Sequence, residues 1–304
     1  MLSPTMGLGD GLRAETLIAS FKEAIGGRRE RLYTHLGIQS GLPGTRMNDH
    51  LAHAFAAECV SAGAAAEALV REMASLSPEA APGATSREFL PVCGILALGA
   101  RAAHEPRNSA RIEHALHALH EASEDPRFRV RAIVPVALAK LGAAMGEPFV
   151  RALGAWTDGF FHASAALLAL SQPELLANLN NEAEVLARLD ESFALASKAA
   201  RSTSRYPGRK ALIDALALAS SALALRFGVP VFDRLVHWAN TQDPDVRNAI
   251  ETALRNPKIS SRYGSEIQRV QSTLSSALPP PRDPTLLVKG MRSRSKKKGR
   301  YSKH

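Results

Sequence analysis

The sequence predicts an all-α protein, an α-solenoid of stacked helical hairpins, and three observations lead there. The 304 residues are rich in alanine and leucine but hold only 16 aromatic side chains (10 Phe, 4 Tyr, 2 Trp). Such a supply of small, straight helix formers weighs against a β-sandwich or barrel. Apolar residues recur at three- and four-residue steps, and no segment sustains the alternation of a half-buried strand. Short Gly/Pro breakers separate these stretches, and short connections make neighbouring helices pack antiparallel. A hairpin so rich in Ala and Leu cannot hide its apolar face alone, so stacking against neighbours supplies the core.

Helical periodicity runs through residues 12–25, 51–73, 112–119, 185–196 and 267–278. The breakers fall at 26–27, 41–44, 146–148 and 228–230, giving about twelve to fifteen helices in about six hairpins. Thr85 with Glu88, and Ser171 with Glu174, read as capping boxes. Asp125-Pro126 and Asp243-Pro244 set a good cap acceptor before a proline at the first helical position. Pro135 is expected to kink its helix, because it removes a backbone donor. Segments 77–86 and 201–209 read as loops projecting from one face. The helical domain is assigned to residues 1–278, and residues 279–304 to a Pro-rich linker and a disordered basic tail.

The two Asp-Pro starts share more than the cap. Asp125-Pro126 leads to Val130-Arg131 and Asp243-Pro244 to Val246-Arg247, each followed by a small and a large apolar residue. This pattern resembles the HEAT-repeat signature of armadillo-type helical repeat proteins. The resemblance implies that Val130 and Val246 face the core, and that Arg131 and Arg247 join a polar ladder with capping aspartates of neighbouring repeats. The starts lie 118 residues apart, a span that three repeats of about forty residues fill.

Charge divides the chain sharply. Of the +9 formal charge, from 38 basic and 29 acidic residues, eight basic side chains lie in the last sixteen residues, which hold no carboxylate. These are Lys289, Arg292, Arg294, Lys296, Lys297, Lys298, Arg300 and Lys303. The remainder carries 30 basic and 29 acidic residues, a balance of +1, so no overall field draws polyanions to the body. Contact with nucleic acid or another polyanion is assigned to the tail. A second anion spot is read at Arg205, Arg209 and Lys210, around Tyr206. Cys59 and Cys93 sit in helical surroundings and read as buried reduced thiols, which suits a cytoplasmic setting. No secretory signal is apparent at the start, no stretch is apolar for long enough to span a bilayer, and no cofactor is expected.

Candidate chemistry concentrates on one helix. Glu113, His117 and Glu121 follow at four-residue steps and line one face, a pattern able to hold a divalent metal. The bland alternative is a solvated polar stripe. His104-Glu105 and His120-Glu121 resemble the His-Glu pairs of deoxyhypusine hydroxylase, a HEAT-like di-iron enzyme. Here only two pairs occur, 16 residues apart, too close for equivalent repeat positions. Trp156 and Asp158 raise a likeness to HEAT-like DNA glycosylases of the alkylation-repair class, which use tryptophans and an aspartate on a basic concave surface. The leading expectation is a non-catalytic scaffold binding a protein or peptide, with the tail on a polyanion. The alternative is a HEAT-like enzyme, glycosylase or metal-dependent hydroxylase.

Overall fold

A computed structural model describes residues 8–106 and 109–277; the basic tail and its polyanion assignment lie outside them. All regular structure in the described residues is helical: sixteen α-helices and four short 3₁₀ segments. In chain order the first helices are α1 (Leu8–Ile25), α2 (Glu30–Gln39), α3 (Asp49–Ser61), α4 (Glu67–Ala74), α5 (Phe89–Ala102) and α6 (Ala110–Ala122). Next come α7 (Phe128–Met145), α8 (Glu147–Ala152), α9 (Phe160–Leu170), α10 (Pro173–Leu176) and α11 (Glu182–Lys198). The last are α12 (Pro207–Phe227), α13 (Val229–Trp238), α14 (Pro244–Leu254), α15 (Pro257–Ser260) and α16 (Gly264–Ser276). No described helix is long and apolar enough to cross a membrane.

One row of helices packs in chain order: α3 on α5, α5 on α7, α7 on α9, α9 on α12 and α12 on α14. The helices between them lie against this row, α4 on α5, α6 on α5 and α7, α11 on α9 and α12, and α13 on α12 and α16. Every residue of α5 is buried, because α3, α4 and α7 all pack against it. Two junctions repeat one device. Gly146 and Gly228, at φ +69° and +72°, each end one helix and begin the next. The left-handed conformation favours glycine there, and each glycine N–H closes the preceding helix on Gly142 O or Ala224 O.

Several local expectations are corrected. The 51–73 stretch is broken at Gly63, which has φ +55° and starts a 3₁₀ segment between α3 and α4. Neither capping box forms. Thr85 Oγ1 donates to Pro82 O, and Glu88 accepts from Ala84 N. Ser171 Oγ donates back to Leu167 O. Segment 201–209 is not a loop, since a 3₁₀ turn over Arg201–Arg205 leads through Tyr206 into α12. Asp243 caps α14 as expected, accepting from Asp245 N and Val246 N. Helix α7 instead begins at Phe128, and Asp125 accepts from Arg127 N just before it.

That late start redirects the arginines. Val130 and Val246 are buried, but Arg131 donates to the Asp125 main-chain oxygen. Arg247 donates to Ala239 O, Thr241 O and Leu274 O, capping helix ends rather than meeting aspartates. The carboxylates are met by other arginines. Arg127 chelates Asp125, and Arg209 reaches from α12 to Asp243 and Asp245. Cys59 and Cys93 are buried. Burial pushes the Cys59 thiol up to about 12 and Cys93 well above the usual range, so neither is a ready thiolate.

Candidate functional site

Helices α7, α9 and α12 present one side of the first row, and a groove of about 450 Å³ runs between them. Its wall on α7 is Phe128, Arg131, Ala132 and Pro135, residues a turn apart. Phe128 is 70 % exposed at the start of α7, where burial would be worth about 1.5–3 kcal/mol. Phe161 of α9 lies under the Arg131 guanidinium at 4.6 Å and 5.9 Å from the Tyr206 ring. Gly208 leaves room for this edge-on contact, since a Cβ there would come 2.7 Å from Tyr206 Cε1 and 3.1 Å from Phe161 Cδ2. Ser164 Oγ donates to Ala211 O at 3.1 Å and ties α9 to α12. Lys210 and Asp214 on α12 supply exposed charges of opposite sign.

Beside the start of α9 lies a compact polar cluster. His120 stands in the last turn of α6, Asp158 ends the 3₁₀ segment Leu153–Asp158, and His162 is in the first turn of α9. His120 Nε2 lies 3.1 Å from Asp158 Oδ2 and 3.2 Å from Oδ1. His162 Nδ1 lies 2.8 Å from Oδ1. The two imidazoles stack with centroids 3.5 Å apart, and the Trp156 ring meets His120 edge-on at 5.0 Å. Burial works against ionisation of Asp158, but hydrogen bonds from His120 and His162 outweigh it and hold the carboxyl below its ordinary range.

The residues singled out in the sequence are distributed unevenly over these features. His117 and Glu121 pair at 3.5 Å on a solvent face, with side chains 72 % and 70 % exposed. With Glu113 they do not make a three-ligand group; among the described residues the group that does is His120, Asp158 and His162. Trp156 is buried against those histidines, so no indole face is offered to a nucleic-acid base. Trp238 is likewise structural, donating to Asp190 at 2.8 Å and stacking on Phe193. Arg205 and Lys210 are exposed, whereas Arg209 is buried and committed to Asp243 and Asp245. Sequence reasoning missed His162 altogether. The signal was present in Asp158 and His162 at four-residue spacing, hidden because the intervening glycine ends one helical segment before the next begins.

Compared with known proteins, the chain matches no protein-family model and no curated sequence.

Proposed function

We propose that the chain is a non-catalytic scaffold, an α-solenoid of HEAT-like hairpins whose α7/α9/α12 groove holds a peptide segment of a partner protein. The observation that carries this reading is the exposed Phe128 lining the same groove as Phe161, whose ring meets Tyr206 edge-on. A large apolar ring at the mouth of an aromatic groove is the kind of anchor that dominates binding energy once a partner excludes water. The order of helix packing supports the repeat reading, since each hairpin adds a member to one continuous row. Lys210, with Arg131 at the wall, favours a peptide that sets a carboxylate near an aliphatic or aromatic side chain. The buried Trp156 removes the stacking surface a glycosylase of the alkylation-repair type would use, so the scaffold reading is preferred.

A displayed library of short peptides, panned against the immobilised full chain, tests the groove. Acid-bearing apolar peptides are expected to be enriched, with Phe128→Ala weakening them about tenfold and Lys210→Glu acting in the same direction. Binding indifferent to both substitutions would remove the groove from consideration. The basic tail has its own test, because its eight charges lie apart from the groove in sequence. Deleting residues 289–304 is expected to abolish salt-sensitive binding of duplex DNA, whose log–log salt slope has an upper limit of about −7 for eight phosphate contacts. An unchanged slope after truncation would reject the tail assignment.

A further inference from the structure

We infer that His120, Asp158 and His162 form a binding site for a divalent first-row transition ion of borderline softness, such as Zn²⁺ or Co²⁺. This site stands independently of the peptide groove. Each residue offers one ligand atom, and all three atoms lie within 4.8 Å of one another. Around a tetrahedral Zn²⁺ with bonds of about 2.0–2.1 Å, neighbouring ligand atoms stand about 3.3–3.4 Å apart. Measured to the one oxygen Asp158 Oδ1, the nitrogen-to-carboxylate separations are 3.2 Å for His120 Nε2 and 2.8 Å for His162 Nδ1, hydrogen-bond distances that an ion would widen toward such edges. The two imidazole planes are stacked 25° apart, so an ion would require the rings to rotate until both nitrogens aim at one centre.

The surroundings favour an ion over an isolated ion pair. Two neutral imidazoles and one carboxylate give a divalent ion nitrogen and oxygen donors and leave it a net positive charge for water or another anion. His162 is 8 % exposed and fixed in the first turn of α9, while the Asp158 side chain is 54 % exposed and leaves an entry path. Gly159 is required here, because a Cβ at that position would lie 2.6 Å from His162 Nδ1 and intrude on the donor atom. Trp156 closes one side with an apolar wall, which limits competing water and strengthens the local field. The three ligands come from α6, the 3₁₀ segment Leu153–Asp158 and α9, so a bound ion would also cross-link three elements.

The test uses the full chain, stripped of metal and titrated with Co²⁺ alone, which reports its own coordination through visible ligand-field absorption. One Co²⁺ per chain is expected, displaced by Zn²⁺, with an accompanying rise in Tm. Asp158→Asn keeps the side-chain shape and is expected to weaken Co²⁺ binding at least about tenfold, as is His120→Ala. His162→Ala should do the same, with far-UV circular dichroism verifying that it folds. His117→Ala, on the exposed face of the same helix, should leave binding unchanged. Absence of saturable Co²⁺ uptake overturns the inference, as does equal affinity in the Asp158→Asn protein. Loss of binding in His117→Ala would also overturn it, since the ion would then sit on the outer stripe of α6.

Discussion

Replacing Arg127 with alanine is expected to lower the free energy of unfolding by about 3–5 kcal/mol, the range for removing one partner of a buried ion pair. Arg127 is 5 % exposed and every face of its guanidinium is engaged. Nε and Nη2 clamp Asp125 at 2.8 and 2.6 Å. The remaining protons reach Leu76 O at 2.7 Å, Ala81 O at 3.0 Å and Ser77 O at 3.2 Å. One side chain therefore pins the loop after α4 to the start of α7. Alanine leaves a carboxylate only 13 % exposed, and the main-chain oxygens of Leu76 and Ala81, without this donor, while Ser77 O keeps the Ala81 N–H. Lysine restores charge but not the planar fork, so Arg127→Lys should recover less than half of the loss. Urea unfolding followed by circular dichroism measures both, with Arg71→Ala as the comparison. Arg71 is 64 % exposed in an i,i+4 pair with Glu67, where the expected cost is only about 0.3–0.5 kcal/mol. A loss for Arg127→Ala no larger than that of Arg71→Ala would show that the clamp is not a stabilising unit.

The Arg127 clamp also marks the limit of what the sequence reveals. Helix content and many helix positions follow from local periodicity, which depends on residues within a turn or two of each other, whereas the burial of Val130 and Val246 is implied by the resemblance of the two Asp-Pro starts to the HEAT signature. The Asp-Pro cap at Asp243 was legible for the same reason. The matching Asp125-Pro126 was not, because α7 starts later and Asp125 turns to Arg127 instead. With Arg127 placed at the helix entrance, Arg131 sits one turn too far along to meet a carboxylate and settles on the Asp125 main chain. Arg209, singled out as an anion contact, is drawn to Asp243 and Asp245 at the start of α14, a pairing across 34 and 36 residues that no local pattern encodes. The imidazole cluster is similar. Asp158 and His162 are near in sequence, but His120 joins them across 38 residues, through the packing of α6 beside the entrance to α9.

The second large effect is expected at two glycines of α5, where helix propensity gives the wrong sign. In a helix interior alanine is favoured over glycine by about 1 kcal/mol. At Gly94, however, a Cβ would lie 2.3 Å from Ala74 N and 2.6 Å from Met73 C, both main-chain atoms of α4. At Gly99 it would lie 2.5 Å from Ala137 O and 2.8 Å from Ala137 C on α7. Main chain cannot swing aside as a side-chain tip can, so each substitution must push two helices apart. Gly94→Ala and Gly99→Ala are each expected to destabilise by about 1–3 kcal/mol or more, the range for overpacking a core. The steric term thus exceeds the propensity gain. Gly264 provides the control: at the start of α16, a Cβ on this residue would meet nothing within 4 Å, so Gly264→Ala should be neutral or stabilising by up to about 1 kcal/mol. Chemical denaturation of the three variants decides the matter. If Gly94→Ala and Gly99→Ala rise in stability alongside Gly264→Ala, α5 is not held by close main-chain approach. If they fall while Gly264→Ala does not, the tight seating of α5 between α4 and α7 is what fixes the spacing of the helix row.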